Sequence, residues 1–407
     1  MDQLDLKIIL HSKGIRDPQL LSRCRSIDTG DLEPDPGKTP ELARFNRERD
    51  LYVLFTSGST GVPKGVRITA GNLNAFTRDF IAYPAYSFTP EDRFLQIYDL
   101  SFDASLPCYV VPLVTGSCIY TVPADGIKYL AAYKLMRDHR LTVIKMTPSA
   151  LSYLKPYFSS IRLEDVKYCL LGGEPFPSGL AKEWEKCVPN ALIQNVYGPT
   201  ETTIICSICD WNPPGGDRKE FNGIVSIGRA YGTNRVLVVR EDGQVAEPGE
   251  SGELLTGGDQ VSPGYWKDPG LNATCFAEMD YRGEISRFYR TGDLVRMDED
   301  GDLMYLGRND DQVQVQGYRV EPGEIEKYAR EFTGGRNVVA LGKEAAAGEM
   351  KLYLFVESAD RDFMQLSGHL KKYLPAYMIP SEIIAVGEFP RLVSGKVDRK
   401  RLIQSLP

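Results

Sequence analysis

The sequence predicts an α/β protein with a large N-terminal body, in which parallel or mixed sheets are covered by helices and a β subdomain follows, and a small α+β C-terminal domain. Alternating apolar and amphipathic segments between residues 127 and 196 are typical of a parallel sheet covered by helices. Short β-branched segments after Gly223 favour an antiparallel subdomain over about 223–309. We therefore predict a core over 1–309 and a C-terminal domain over 310–407.

The N-terminal body begins after a polar connector over residues 30–50, rich in Gly, Pro, Asp, Glu and Arg. Apolar runs bounded by turn residues predict buried strands, and longer amphipathic stretches predict helices. The predicted strands cover 51–55, 141–146, 166–171 and 191–196, and helices are predicted over 127–139, after Pro148 and after the strand 166–171.

The second half of the chain changes pattern. Asp-Gly pairs at 242–243 and 300–301 are hairpin turn signals. Residues 312–320 alternate apolar and polar side chains, and helices over 324–332 and 362–373 are predicted to flank a strand over 351–356. Since no internal repeat is visible, a solenoid is excluded.

Composition limits the class of partner. The chain has 407 residues, 42% of them hydrophobic and 25% charged, and a net charge of -7, which fits a globular protein and argues against nucleic acid as a partner. It contains neither a secretory signal pattern nor an apolar run of 18 residues, so no membrane insertion and a cytoplasmic location are expected.

Cysteine and histidine usage argues against several kinds of site. The eight cysteines are scattered, as is typical of reduced thiols, and the pair Cys206 and Cys209 lacks the second pair of a zinc site. The three histidines are His11, His139 and His369, and none of them lies beside a serine or cysteine nucleophile motif in the sequence. Catalysis is therefore expected to use Lys, Arg, Asp, Glu and backbone groups.

A loop dense in glycine and hydroxyl residues, Thr56 to Gly65, follows the first predicted strand. Glycines allow backbone N–H groups to converge on phosphate oxygens, hydroxyls donate further hydrogen bonds, and Lys64 adds positive charge. The spacing is not that of a Walker A loop. Taken alone, such a segment is more often a flexible turn with a solvated lysine.

Five further motifs follow in order, and together with the loop they resemble the adenylate-forming superfamily. They are Asn195-Val196-Tyr197-Gly198-Pro199-Thr200-Glu201, Tyr289-Arg290-Thr291-Gly292-Asp293, Gly307-Arg308-Asn309-Asp310, Gly317-Tyr318-Arg319 and Ser394-Gly395-Lys396. The match is similar to adenylation domains of nonribosomal peptide synthetases and to D-alanine carrier-protein ligases, from about Leu51 to Leu402.

The resemblance implies ATP, Mg²⁺ and the products AMP and pyrophosphate. Glu201 is implied to hold the metal, Thr200 to contact the α-phosphate, Tyr197 to stack on adenine, Asn195 to pair with its amine and Asp293 to accept from the ribose hydroxyls. The other implied nucleotide-binding residues are Thr56, Ser57, Gly58, Ser59, Thr60, Gly61, Lys64, Gly172, Gly173, Glu174, Gly198 and Arg308.

The resemblance also implies a mobile C-terminal domain. Lys396 would stabilise charge during adenylation, with Thr200 and Glu201 completing the catalytic set. Asp310 would be the hinge about which the domain rotates, bringing Gly317 near the entry path of a carrier thiol. Gln314 and Gln316 depart from relatives, which often have basic residues there, so the chain supports carrier transfer less firmly than adenylation.

The substrate implied by the resemblance is an amino acid. Asp103, in Ser101-Phe102-Asp103-Ala104-Ser105, matches the aspartate that relatives place against the substrate ammonium. The implied side-chain pocket is mostly apolar and consists of Ala104, Pro107, Lys145, Leu170, Gly172, Val196, Ile204 and Ile205. Lys145 either meets a polar or acidic substrate group or reaches solvent. A small amino acid such as alanine is therefore predicted, with an aspartate-like substrate as the rival.

Relatives have a whole lobe before the phosphate loop, whereas here the loop begins at Thr56. The shortened lobe predicts either an apolar face that a homo-oligomer or a companion chain covers, or a truncated form. The favoured hypothesis is an amino acid ligase that loads a separate phosphopantetheinylated carrier protein. The alternatives are a non-catalytic nucleotide-binding or regulatory homologue and an acyl-CoA ligase.

Overall fold

The computed structural model describes residues 8–11, 25–31, 44–58, 62–123, 127–213, 215–345, 350–358, 363–391 and 397–406. The chain divides into two units, residues 1–46 and residues 47–407. In the first unit, strands β1 (Ile8–His11) and β2 (Arg25–Asp28) pair in parallel, and a 3₁₀ helix spans Thr29–Asp31.

The second unit contains all of the remaining elements. Its strands up to residue 239 are β3 (Asp50–Thr56), β4 (Lys64–Thr69), β5 (Arg93–Gln96), β6 (Cys118–Thr121), β7 (Val143–Met146), β8 (Tyr168–Gly172), β9 (Leu192–Tyr197), β10 (Ser207–Asp210), β11 (Glu220–Phe221), β12 (Ile224–Val225), β13 (Arg229–Ala230) and β14 (Arg235–Val239). The later strands are β15 (Ser251–Gly257), β16 (Gly264–Tyr265), β17 (Phe276–Tyr281), β18 (Glu284–Met297), β19 (Leu303–Arg308), β20 (Val313–Val315), β21 (Tyr318–Val320), β22 (Val338–Glu344), β23 (Met350–Glu357) and β24 (Glu382–Val386).

The described helices of this unit are mostly short. They are α1 (Ala70–Ile81), α2 (Pro107–Thr115), α3 (Lys128–Asp138), α4 (Pro148–Ser152), α5 (Ser178–Trp184), α6 (Pro269–Cys275), α7 (Pro322–Phe332), α8 (Met364–Tyr373) and α9 (Arg399–Gln404). Short 3₁₀ helices span Asp103–Ser105, Lys155–Ser160, Thr200–Thr202 and Ala376–Met378. Among the described residues, none of the helices combines the length and apolar character that a membrane span requires.

A seven-stranded sheet in the order β13-β10-β9-β8-β7-β5-β6 forms the centre of the unit. Strands β5 to β9 run parallel, whereas β10 and β13 pair antiparallel. Alternate residues point to opposite faces: Leu170 of β8 packs with Phe76 of α1 on one face, and Leu171 packs with Trp184 of α5 on the other. All residues of β7 and β8 are buried, which explains why both strands are apolar except at Lys145.

The remaining sheets surround this core. Strands β3, β4 and β16 form a three-stranded antiparallel sheet, and the predicted phosphate loop connects the paired strands β3 and β4. Strands β14, β15, β17, β18 and β19 form the antiparallel β subdomain predicted after Gly223. The mixed α/β architecture with a β subdomain confirms the predicted fold class.

The C-terminal part has its own core. The hairpin β20–β21 precedes a three-stranded sheet, β22-β23-β24, and helices α7 and α8 pack on that sheet through a shared apolar cluster around Ile325, Leu354 and Leu366. Helix α9 packs on a second cluster that includes Phe355 and Leu402. The predicted helices and strand of this part are confirmed with small changes of their ends.

Candidate active site

A cavity lies at the carboxyl ends of β7, β8 and β9, where parallel sheets generally bind their ligands. The hairpin β20–β21 lines its other side. The cavity brings together most of the predicted site residues: Thr56, Ser57, Asp103, Ala104, Lys145, Gly172, Gly173, Glu174, Asn195, Val196, Tyr197, Gly198, Thr200, Ile204, Ile205, Asp293 and Arg308.

A few predicted residues do not line the cavity. Pro107 and Leu170 are buried behind its wall, and Gly58, Lys64 and Glu201 lie beyond its lining. Ser59, Thr60, Gly61 and Lys396 lie outside the described residues.

The cavity also has walls that the sequence did not predict, among them Tyr98, Thr147, Tyr305, Arg319 and Tyr377. Thr147 directly follows β7, so its place after a buried parallel strand was a usable signal. Tyr377 comes from a short 3₁₀ helix of the C-terminal part, and only tertiary packing brings it here.

Ser57, in the predicted phosphate loop, contacts the C-terminal part directly. The Ser57 Oγ donates to the carbonyl oxygen of Arg319 at 2.8 Å and accepts from the backbone N–H of Glu321 at 3.1 Å. A Cβ atom at Gly58 would lie 1.9 Å from the Val62 carbonyl oxygen, so only glycine fits the tight path of the loop. In this arrangement, which we call docked, the Ser57 hydroxyl forms its hydrogen bonds with β21 of the hairpin and with the residue that follows β21.

Glu201 is fully buried in the 3₁₀ helix that follows β9. Its carboxylate oxygens accept from Arg319 Nη1 at 3.0 and 2.9 Å, and Oε1 also accepts from the Tyr265 hydroxyl at 2.6 Å. Burial by itself raises the pKa of Glu201, but the positive charges of Arg319 and Lys64 lower that pKa to about 2. Glu201 is therefore ionised at neutral pH.

Lys64 is the first residue of β4, and its ammonium group is enclosed by the protein. The Nζ lies 3.7 Å from the Glu321 carboxylate and 5.4 Å from the centre of the Tyr265 ring. Burial, followed by the nearby charge of Arg319, lowers the pKa of Lys64. The side chain is thus held in place as an inward-facing cation.

A second network surrounds Asp293, in the long strand β18. Its carboxylate accepts from the Tyr197 hydroxyl and from Arg308 Nη1, each at 2.5 Å. Burial raises the pKa of Asp293, whereas Arg308 opposes that rise. Arg308 also donates to both carboxylate oxygens of Asp310 at 2.6 Å, so the predicted hinge residue is tied to the same network.

Asn195 is held by the backbone of the neighbouring segment. Its Nδ2 donates to the carbonyl oxygens of Val225 and Ser226 at 3.2 and 2.9 Å. The amide hydrogens are therefore committed, and the acceptor oxygen is the part of this side chain suited to pair with an amine.

One part of the cavity holds two buried ionisable side chains, Asp103 and Lys145. The Asp103 Oδ2 is buried and has no hydrogen-bond partner, and burial raises the pKa of Asp103. Lys145 is 7% exposed; its Nζ donates to the Ala104 carbonyl at 3.2 Å and lies 4.3 Å from the centre of the Tyr98 ring. Of the two alternatives for Lys145, the structure shows the lysine inside and not reaching solvent.

Gly317, at the turn of the β20–β21 hairpin, enters the cavity. Its backbone N–H donates to Glu174 Oε1 at 2.6 Å, and that carboxylate also accepts from the backbone N–H of Ser149 at 2.8 Å. A Cβ at Gly317 would lie 2.5 Å from Thr147 Cγ2. The hairpin fits the site because this residue has no side chain.

Comparisons with known proteins agree with this geometry. A family model described as AMP-binding enzyme matches residues 2–266. Tyrocidine synthase 3 of Brevibacillus parabrevis is 35% identical over 369 residues, which are 89% of this chain and 6% of that protein. The chain therefore spans only a small part of this relative.

Two solved structures share the fold. Holo-PA1221, a nonribosomal peptide synthetase protein with adenylation and carrier domains bound to a vinylsulfonamide inhibitor, superposes with a TM-score of 0.82 at 26% identity, covering 100% of this chain and 68% of that one. The Vibrio cholerae adenylation domain AlmE, in complex with glycyl-adenosine-5'-phosphate, gives 0.80 at 26% identity, covering 99% and 76%.

Proposed function

Because this chain belongs to the AMP-binding enzyme family, we propose that it activates an amino acid with ATP, releases pyrophosphate, and passes the aminoacyl group to the phosphopantetheine thiol of a separate carrier protein. The observation that carries the proposal is the buried Asp103 Oδ2 without a hydrogen-bond partner. A buried carboxylate needs a compensating charge or donor, and the ammonium group of an amino acid supplies both.

The opposite end of the site suits a nucleotide. Asp293 is proposed to accept from ribose hydroxyls, and Tyr197 and Asn195 line the same cavity. Ser57 and Lys64 are proposed to bind the outer phosphates, and Thr200, which lines the cavity, is proposed to contact the α-phosphate. The proposed nucleotide therefore extends from the β subdomain toward the substrate end.

Glu201 fits Mg²⁺ chemically, because it is an ionised carboxylate beside the loop that would hold the phosphates. When bound, the metal neutralises charge on the pyrophosphate leaving group. In the arrangement of this structure, Arg319 and Tyr265 donate hydrogen bonds to this carboxylate.

The chemistry requires two steps at one site. In the first, a carboxylate oxygen of the amino acid attacks the α-phosphorus and the bond to pyrophosphate breaks; Lys396 is proposed to stabilise the charge that develops there. In the second, the carrier thiolate attacks the acyl carbon and AMP leaves. The docked hairpin β20–β21 is proposed to represent the second step, with Asp310 as the hinge.

The position of Lys145 bears on which amino acid is activated. Ala104, Val196, Ile204 and Ile205 form an apolar wall, which favours a small substrate. Lys145 stays inside this wall with a carbonyl oxygen and a ring face as its contacts. We therefore favour an aspartate-like amino acid over alanine, since its side-chain carboxylate would pair with the ammonium group.

Exchange of labelled pyrophosphate into ATP, measured across the common amino acids, tests the function. We expect exchange with aspartate or a similar acidic amino acid, and its loss in Lys396→Ala but not in the control Lys371→Ala, which changes a lysine of the last turn of α8. ATP binding without any exchange would identify a regulatory homologue instead. Exchange only with fatty or aromatic acids would identify an acyl-CoA ligase and contradict the role of Asp103.

A further inference from the structure

The chain makes a strained turn between the 3₁₀ helix Thr200–Thr202 and β10. Thr203 has φ of +54° and Ile204 has φ of +79°, a region that β-branched residues rarely adopt because their side chains clash with the backbone there. The backbone N–H of Ile205 donates to the Thr203 carbonyl oxygen at 3.0 Å. This bond across one residue, together with the positive φ of Ile204, identifies a γ-turn of the rare and strained type. Such strain persists only where the surrounding structure enforces it.

This turn forms part of the cavity wall. Ile204 and Ile205 line the cavity, and they are only 5% and 1% exposed. Gly198, which follows β9, lines the cavity as well, and a Cβ atom there would lie 2.5 Å from the Ile204 carbonyl oxygen. The turn is therefore packed tightly against the end of β9, and its backbone conformation sets how far the wall reaches into the cavity.

Gln260, in the segment between β15 and β16, holds the turn from the side away from the cavity. This glutamine is fully buried and does not line the cavity. Its Nε2 donates to the carbonyl oxygens of Thr202, Thr203 and Ile205 at 3.2, 3.1 and 2.7 Å. An amide nitrogen carries two hydrogens, so one of them is shared between two carbonyls. Regular strands and helices do not direct such neighbouring carbonyls at one point, and the amide therefore favours the turn over either.

Further hydrogen bonds orient this amide. The Gln260 Oε1 accepts from Asn234 Nδ2 at 2.9 Å, which directs the nitrogen end of the amide toward the turn. The Gln260 carbonyl oxygen accepts from the Thr203 hydroxyl at 2.5 Å, and the Tyr231 hydroxyl donates to the Ile205 carbonyl oxygen at 2.9 Å. Removing the amide would leave buried carbonyl oxygens without their donor, which costs more than the net contribution of a hydrogen bond.

We propose that Gln260 is a positioning residue for substrate selection: its amide holds the strained turn, so that Ile204 and Ile205 close the pocket against side chains longer than that of the preferred amino acid. Selection then depends on a residue that does not touch the substrate. The inference rests on the proposed function, because it requires that this part of the cavity receive an amino acid side chain. Without the amide, the turn relaxes and the pocket lengthens, while the nucleotide end of the cavity keeps its shape.

The test uses Gln260→Leu, which removes the amide and nearly keeps the size of the side chain. The matched control, Gln194→Leu, changes a glutamine of β9 that is also fully buried, is hydrogen-bonded to Asp210 and to the Tyr86 hydroxyl, and does not line the cavity. Pyrophosphate exchange gives kcat/KM for the preferred amino acid and for its homologue with one more methylene, which for aspartate is glutamate. Hydrogen–deuterium exchange without any ligand, measured by mass spectrometry, follows residues 203–206, with β7 as the internal reference.

A fitted pocket distinguishes one methylene group by about 10- to 200-fold in kcat/KM. In Gln260→Leu we expect this preference to fall at least about tenfold, with the KM for ATP within about twofold of wild type. Hydrogen exchange of residues 203–206 should become at least about tenfold faster than in wild type. Gln194→Leu should keep both the wild-type preference and the wild-type exchange of that segment.

Tyr231→Phe is a milder variant that decides the question should Gln260→Leu not fold. It removes only the hydroxyl bonded to Ile205 and keeps the ring, and it should lower the preference and speed the exchange of residues 203–206 about threefold. An unchanged preference or an unchanged exchange rate in the folded variant would overturn the inference, and so would equal losses in Gln194→Leu. A wild type that exchanges pyrophosphate with no amino acid would instead contradict the proposed function, and the hydrogen exchange comparison, which needs no substrate, would then decide whether Gln260 holds the turn.

Discussion

Replacing Gly317 by alanine should separate the two half-reactions. Gly317 has φ of +81°, a conformation that costs an alanine about 1–2 kcal/mol. The new Cβ would lie 2.5 Å from Thr147 Cγ2, and relieving such overpacking costs about 1–3 kcal/mol. Together these effects disfavour the docked hairpin by about 3 kcal/mol, or roughly 100-fold.

A second substitution tests the steric part of this estimate. Thr147→Ser removes Cγ2, whereas its hydroxyl can still accept from the Ala150 backbone N–H as Thr147 does at 3.2 Å. The nearest remaining atom, Thr147 Cβ, would be 3.6 Å from the new methyl group, an ordinary contact. In the double variant Gly317→Ala/Thr147→Ser, the steric cost should disappear. Docking of the hairpin should then be weakened only by the conformational cost of the positive φ, about tenfold.

The assay compares pyrophosphate exchange with loading of a phosphopantetheinylated carrier protein under single-turnover conditions. Gly317→Ala should keep exchange within about threefold of wild type and lose roughly 100-fold in loading, since only the second step needs the docked hairpin. An equal fall in both rates, or a double variant no better than Gly317→Ala, would refute the reasoning.

Three further outcomes are expected. Asp103→Asn should lower kcat/KM for exchange by about 100-fold or more, with ATP binding unchanged by calorimetry; an unchanged kcat/KM would remove Asp103 from ammonium recognition. Lys145→Met should shift the amino acid preference in pyrophosphate exchange from aspartate toward neutral amino acids. An unaltered preference would mean that Lys145 does not contact the substrate side chain. Burial raises the pKa of Glu324 from 4.5 to about 7, so the folded chain keeps a proton that the unfolded chain loses; the associated stability is present below pH 4.5 and lost as pH rises through 7. The free energy of unfolding should therefore fall by at most about 3 kcal/mol, and Glu324→Gln should abolish this fall. Denaturant unfolding at pH 5 and at pH 8 measures it.

In the C-terminal part, the position of Gly317 was predicted from the sequence, whereas the contact of Arg319 was not. The sequence predicted Gly317 at the site of the thiol step, and the structure places Gly317 against Glu174 and Thr147. The sequence did not predict that Arg319 would bond Glu201, since the two residues are 118 positions apart and belong to separate motifs. The domain boundary at 309/310 and the role of Lys396 stay predictions.

The sequence by itself determined the α/β class, the alternation of strands and helices between residues 127 and 196, and about half of the residues that line the cavity. These features follow from local periodicity and from motifs whose backbone requirements are local, such as the glycine at position 58. Only the tertiary structure decided that Lys145 stays inside, that Pro107 and Leu170 lie behind the wall, and that Ser57, Lys64 and Glu201 face the hairpin. Such pairings depend on how distant segments pack, and a side chain's partner across a cavity leaves no periodic signal in its own neighbourhood.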